Sequence, residues 1–196
     1  MKSRSRNLLI FLAMFSASAS QAAIYTTQLT GPKEVPSNAS PGTGNATVNF
    51  DSLAHIFSVG LNFSGLQGTT TASHIHCCVA SPGTAGVATQ VPTFTGFPLG
   101  VTSGTYNHTF NTLDLATWNP SFVTASGGTA AGAELALANG LAAGTSYFNI
   151  HTSAFPNGEI RGFLTTATTG QVPEPPAIAL FAITIGALVA ARRKRT

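Results

Sequence analysis

The side chains able to do chemistry gather in two short stretches. His74-Ile75-His76-Cys77-Cys78 reads as extended chain, and in a strand successive side chains point to opposite faces. His74, His76 and Cys78 therefore share one face, and Ile75, Cys77 and Val79 the other. Two imidazoles at i and i+2 stand close enough to share an ion, and imidazole nitrogen suits copper or zinc. Far downstream, Tyr147-Phe148-Asn149-Ile150-His151 alternates in the same way, with Phe148 and Ile150 on an apolar face and His151 on the polar one. Two readings of the three histidines stand side by side. They form a metal site, or they hydrogen-bond loops and hold the strand ends in place.

A few residues on, Glu159-Ile160-Arg161-Gly162-Phe163-Leu164 sets Glu159 and Arg161 opposite Ile160 and Leu164. This pair either forms a same-face or cross-strand ion pair that fixes the last strand, or Arg161 steers an anion. Cys77 and Cys78 are the only cysteines. They can close a vicinal disulfide or bridge two chains. Alternatively, Cys77 packs as a small hydrophobe while Cys78 offers a soft thiolate to copper. No Ser-His-Asp order, paired carboxylates or glycine-rich phosphate loop is present, so no catalytic residue is assigned.

Strands must position these groups. Short alternating segments recur between Gly, Pro, Asn and Ser clusters, the signature of an all-β, antiparallel sandwich or barrel. Strands are expected near Ile24–Thr30, Asn45–Asp51, His55–Phe63, Thr71–Val79, Ser103–Phe110, Ser146–Thr152 and Gly158–Thr165. In the clearest, Phe57, Val59, Leu61 and Phe63 face one way and Ile56, Ser58, Gly60 and Asn62 the other. One or two short helices interrupt the pattern: Leu113–Trp118, stopping before Pro120, and Ala130–Leu141, ending at Gly140 or Gly144.

The two ends read as addresses. Lys2, Arg4 and Arg6, the apolar run Leu8–Phe15 and the small residues Ser16–Ala23 describe a secretory signal peptide over 1–23. The β domain then spans 24–166, followed by a linker over 167–176. Val172-Pro173-Glu174-Pro175 precedes an apolar helix over 177–191 and the basic end 192–196. At 1.5 Å per residue that helix covers roughly 22 Å, against a hydrocarbon core of about 30 Å, with arginine snorkelling and local thinning to bridge the difference. The basic end stays cytoplasmic by the positive-inside rule.

Charge follows the same division. Of the nine lysines and arginines, only Lys33 and Arg161 lie between the ends, facing Glu34, Asp51, Asp114, Glu134 and Glu159, for a net charge of −3. The domain has no basic patch, which sets nucleic acid aside as a partner.

The tail resembles the PEP-CTERM sorting signal of Gram-negative, matrix-forming bacteria, through Pro173-Glu174-Pro175, the helix and the basic end. That resemblance implies an exosortase-type processing enzyme, a transient membrane helix, and a mature protein in the cell envelope or extracellular matrix. The middle resembles the CHRD domain, through Ala72-Ser73-His74-Ile75-His76, Tyr147-Phe148-Asn149-Ile150-His151-Thr152 and Pro156-Asn157-Gly158-Glu159-Ile160-Arg161-Gly162. Cys77-Cys78 departs from the Gly-Pro of many members. The resemblance implies an extracellular β domain. A weaker likeness to the Greek-key fold of copper–zinc superoxide dismutase implies His74, His76 and His151 as copper ligands and Arg161 as anion guide. Against it stand the missing bridging histidine, zinc cluster and separated cysteines.

Two functions are therefore expected. The first is an exported binding or structural module, meeting exopolysaccharide or surface proteins. The second is a copper protein using His74, His76, His151 and Cys78.

Overall fold

Alternation of large apolar and small polar side chains organises the computed structural model, which describes residues 22–167. The signal peptide, the Pro173-Glu174-Pro175 motif, the apolar helix and the basic end lie outside the described residues, apart from Ala22 and Ala23. Among the described residues no helix is long and apolar enough to cross a membrane.

Among the described residues eight strands form: β1 (Ala23–Thr30), β2 (Thr43–Asp51), β3 (Ile56–Ser64), β4 (Thr70–Cys77), β5 (Gly104–Asn111), β6 (Ser146–Thr152), β7 (Ile160–Phe163) and β8 (Thr165–Thr166). They pair antiparallel in the order β4-β6-β7-β1-β2-β3-β5, with β8 on β1. The sheet curls into a half-barrel, consistent with the all-β sandwich that the alternation predicts.

The inward faces meet in one core. Phe57, Val59, Leu61 and Phe63 are buried, while Ile56 and Asn62 on the other face of β3 are exposed. The register sets Phe57 between Phe50 of β2 and Phe110 of β5, with the Phe57 and Phe110 rings 5.3 Å apart. Burying a side chain of this kind contributes on the order of 2 kcal/mol.

Helices α1 (Pro120–Ala125) and α2 (Ala130–Ala142) follow a single 3₁₀ turn at Leu115–Thr117. That turn is all that forms of the expected Leu113–Trp118 helix; it stops before Pro120 as expected, and Pro120 itself opens the next helix. Proline at the first helical position loses only an N–H that would have had no partner there. Asn119 caps this helix, its side chain accepting from the Ser121 N–H at 3.0 Å. In α2, the Thr129 hydroxyl caps Gly132 N, Ala133, Leu137 and Leu141 enter the core, and the chain turns away at Gly144 with φ +65°.

The segment from Val79 to Ser103 matters most for the site. It folds back along the open edge of β4: Ala88 N donates to Ile75 O at 2.9 Å and Phe94 N to Ser73 O at 3.3 Å. Thr89 and Thr93 accept in turn from the backbone of Ile75 and Ser73. Phe94 plugs this segment into the core, 5.8 Å from Phe148 and 5.4 Å from Phe110. The edge is covered.

Candidate metal centre

In the β4–β6 ladder Ala72 pairs with His151, His74 with Asn149 and His76 with Tyr147. Paired residues share a face, so the strands bring His74, His76 and His151 together on the side of the sheet away from Ile75, Phe148 and Ile150. One ring nitrogen from each can be chosen so that all three lie within 4.8 Å of one another. The ring centres are 5.3 Å apart for His74 and His151, and 5.9 Å for His74 and His76.

One nitrogen of each ring is committed. His74 Nε2 donates to Pro92 O at 2.7 Å, His76 Nδ1 to Ala85 O at 2.9 Å and His151 Nδ1 to Pro156 O at 2.8 Å. A carbonyl can only accept, so each of these nitrogens carries the hydrogen and the opposite nitrogen of a neutral ring is left as a lone pair. Those opposite atoms, His74 Nδ1, His76 Nε2 and His151 Nε2, are buried and have no partner in the protein. Burial pushes His74 and His76 down to about 4 despite their carbonyl bonds, and lowers His151 for the same reason. At neutral pH the site therefore presents three uncharged nitrogen donors, each oriented from behind by a backbone carbonyl, as in metal-binding histidines.

Local structure fixes those carbonyls. Ala85 is held by the Tyr147 hydroxyl, which bonds its N–H and its carbonyl at 3.2 Å each. Pro156 lies in a tight turn closed by Phe155 N to Thr152 O and Gly158 N to Phe155 O.

Cys78 does not join the histidines. The strand ends at Cys77, so the alternation that would put Cys78 beside His76 stops there. Cys78 is bonded to Cys77 as a vicinal disulfide, and no thiolate remains to ligate copper.

Arg161 and Glu159 do not form the ion pair open to them in the sequence. Arg161 is 1% exposed and donates to the carbonyls of Lys33, Pro82 and Gly83. The carboxylate near it is Glu34, with Nε to Oε2 at 3.9 Å. Burial raises Glu34 to about 7, outweighing Arg161 and the 2.6 Å bond from Asn149 Nδ2. Glu159 is fully buried elsewhere, accepting from Ser40, Thr152, Gln67 and Gly68. Burial alone would raise its carboxyl, but these donors hold it below the usual range.

The remaining histidines stay apart from this cluster. His55 bonds Glu134 at 2.9 Å, and His108 lies on β5 beside Phe110. Glu34, Tyr147, Asn149 and the three loop carbonyls are the site's further residues. Period-two phase alone places Asn149 on the face of His151, whereas nothing local in the sequence marks Glu34 or Ala85.

The family model described as CHRD domain matches residues 25–164. No curated protein and no solved structure matches the chain. The β-structured body, its match over most of its length and the two histidine strands inside the match together assign the chain: it belongs to the CHRD domain family.

Proposed function

We propose that this CHRD domain holds one transition-metal ion, copper first, on His74, His76 and His151. One observation carries the reading: the three histidines can bring one ring nitrogen each within 4.8 Å of one another, and every one of the rings has a buried nitrogen that lacks a partner and is left as a lone pair by the bond behind it. A set of neutral imidazoles with no thiolate suits copper and zinc, and among divalent ions nitrogen sites favour copper. Dismutase-like chemistry has no comparable support, because the Arg161 guanidinium is buried and spent on backbone carbonyls.

Membership of the family suggests an extracellular β-structured module. Export, sorting through Pro173-Glu174-Pro175 by an exosortase-type enzyme, and contact with exopolysaccharide or surface proteins in a Gram-negative envelope complete the proposal. These parts rest on the sequence of the two ends.

The test is metal loading. Full-length chain exposed to copper(II) and desalted is expected to keep one ion. His76→Ala and His151→Ala should lose affinity by more than the roughly 10–100-fold typical of removing a supporting partner. No retained copper, or unchanged binding in both variants, overturns the reading.

A further inference from the structure

Five buried side-chain nitrogen and oxygen atoms among the described residues lack a hydrogen-bond partner. Three are the lone pairs of the candidate centre. Ser146 Oγ belongs to the opposite face of β6, near the disulfide and Gly140. The fifth is Asn149 Oδ1.

Asn149 is 2% exposed, stands directly across from His74 and precedes His151 by two positions on the same strand. Its side chain therefore issues from the face that carries the three rings. The amide end is anchored, since Nδ2 donates to Glu34 Oε1 at 2.6 Å. With the nitrogen turned to Glu34, the oxygen is the free end. Leaving a buried carboxamide oxygen unpaired is costly, so it wants a donor. Four of the five orphans thus belong to one face of the β4–β6 ladder: three donors of electron pairs to an ion, and one acceptor for a hydrogen.

We propose that Asn149 Oδ1 is the acceptor for a small protic ligand, water in the first instance, held at an open position of the ion on the three histidines. The proposal rests on the metal reading above. Three protein ligands with one position left open is the pattern of a site that exchanges small molecules, rather than of a closed structural one. The groups around that position decide what enters. An unpartnered acceptor oxygen belongs to the same face of the ladder, while Arg161 has its donors on the carbonyls of Lys33, Pro82 and Gly83. Neutral hydrogen-bond donors are favoured there over anions. Asn149 would position the ligand, and Glu34 sets which end of its carboxamide is left free.

The experiment uses full-length chain loaded with copper(II), with the metal counted first. Solvent-proton relaxation then reads exchangeable water on the ion, and azide titration followed by electron paramagnetic resonance reads anion affinity. Wild type is expected to hold one copper with an exchanging water and to take azide weakly. Asn149→Leu should keep its copper, lose the relaxation enhancement and bind azide roughly 3–10-fold more tightly, the span of one hydrogen bond. Asn149→Ala serves where the leucine does not fold. Copper-loaded wild type without exchangeable water overturns the proposal, as does azide affinity equal in wild type and variant. The wild-type readouts decide alone if neither variant folds. Wild type that takes up no copper removes the proposal together with the metal reading, and the metal count separates that failure from the others.

Discussion

The guanidinium carbon of Arg161 lies 4.7 Å from the centre of the Tyr147 ring. The same ring stacks on His76, with centres 4.6 Å apart and planes 7° from parallel. A cation on β7, an aromatic on β6 and a candidate ligand on β4 are thus joined across three neighbouring strands. Arg161 also ties this column to two distant loops, through the carbonyls of Lys33, Pro82 and Gly83.

Replacing Arg161 with Met should strip those carbonyls of their donors and leave Glu34 without its cation. Three hydrogen bonds from a charged group are lost, each contributing about 1.5–3 kcal/mol, so a loss of at least about 3 kcal/mol is expected. Arg161→Lys is expected to recover less than half of this, because an ammonium cannot reproduce the planar fork that reaches separate carbonyls. Denaturant unfolding of both variants checks the order. Equal stability of the Lys variant and wild type would remove the fork from the account.

Glu34 should make stability pH-dependent in a direction opposite to most carboxylates. Its folded value, raised by burial to about 7, lies above its ordinary value of 4.5. Between the two, the folded chain holds a proton that the unfolded chain has released. The contribution of this group is therefore complete below about 4.5 and is lost as pH rises through about 7. Glu34→Gln has nothing to ionise, so from about pH 5 to about pH 8 its stability should gain on wild type by roughly 1–3 kcal/mol. Parallel pH profiles for the two proteins would exclude a buried, protonated Glu34.

The ladder explains which parts of this arrangement were legible in the sequence. Period-two alternation is a local property of the chain, so the inward face of β3, the shared face of His74 and His76 and the polar face of His151 follow from residue order, while their meeting depends on the pairing of β4 with β6. What lies across that face is not local. Glu34 arrives from the β1–β2 connection, and Ala85 and Pro92 from a segment whose path depends on Phe94 reaching the core. The expected Glu159–Arg161 pairing fails for a related reason. Adjacent same-face positions promise an ion pair only where solvent leaves them free, whereas both residues are buried among partners from other loops. Cys78 marks the limit of alternation itself, since a strand pattern says nothing one residue past the strand's end. Pro120 was ambiguous in another way: a proline that ends one turn can also begin a helix.

Gly140 offers a test of the contact between α2 and the disulfide. A methyl group at this position would overlap Cys77 Sγ and stand 2.6 Å from Cys78 Sγ and 2.8 Å from Ser146 Oγ. Alanine improves helix propensity by about 1 kcal/mol over glycine, whereas overpacking a rigid contact costs about 1–3 kcal/mol. The bonded sulfurs cannot swing away separately, so the packing cost should prevail. Gly140→Ala is expected to lower stability by up to about 2 kcal/mol in thermal or denaturant unfolding. A stabilised variant would mean that α2 stands off the disulfide.

Tyr147→Phe separates holding the site from building it. Phenylalanine keeps the ring that stacks on His76 and lies under Arg161, and removes only the hydroxyl. That hydroxyl bonds both the N–H and the carbonyl of Ala85, and the same carbonyl accepts from His76 Nδ1. Without it, the acceptor that fixes the His76 tautomer is free to shift, although no ligand atom is lost. Supporting partners of this kind are worth roughly 10–100-fold in metal affinity. The variant should therefore unfold within about 1–2 kcal/mol of wild type, the cost of one broken hydrogen-bond pair, yet bind copper at least tenfold more weakly. Competition with a chelator of known affinity measures the second quantity and unfolding the first. Undiminished copper affinity would place the control of His76 in the ring stack alone.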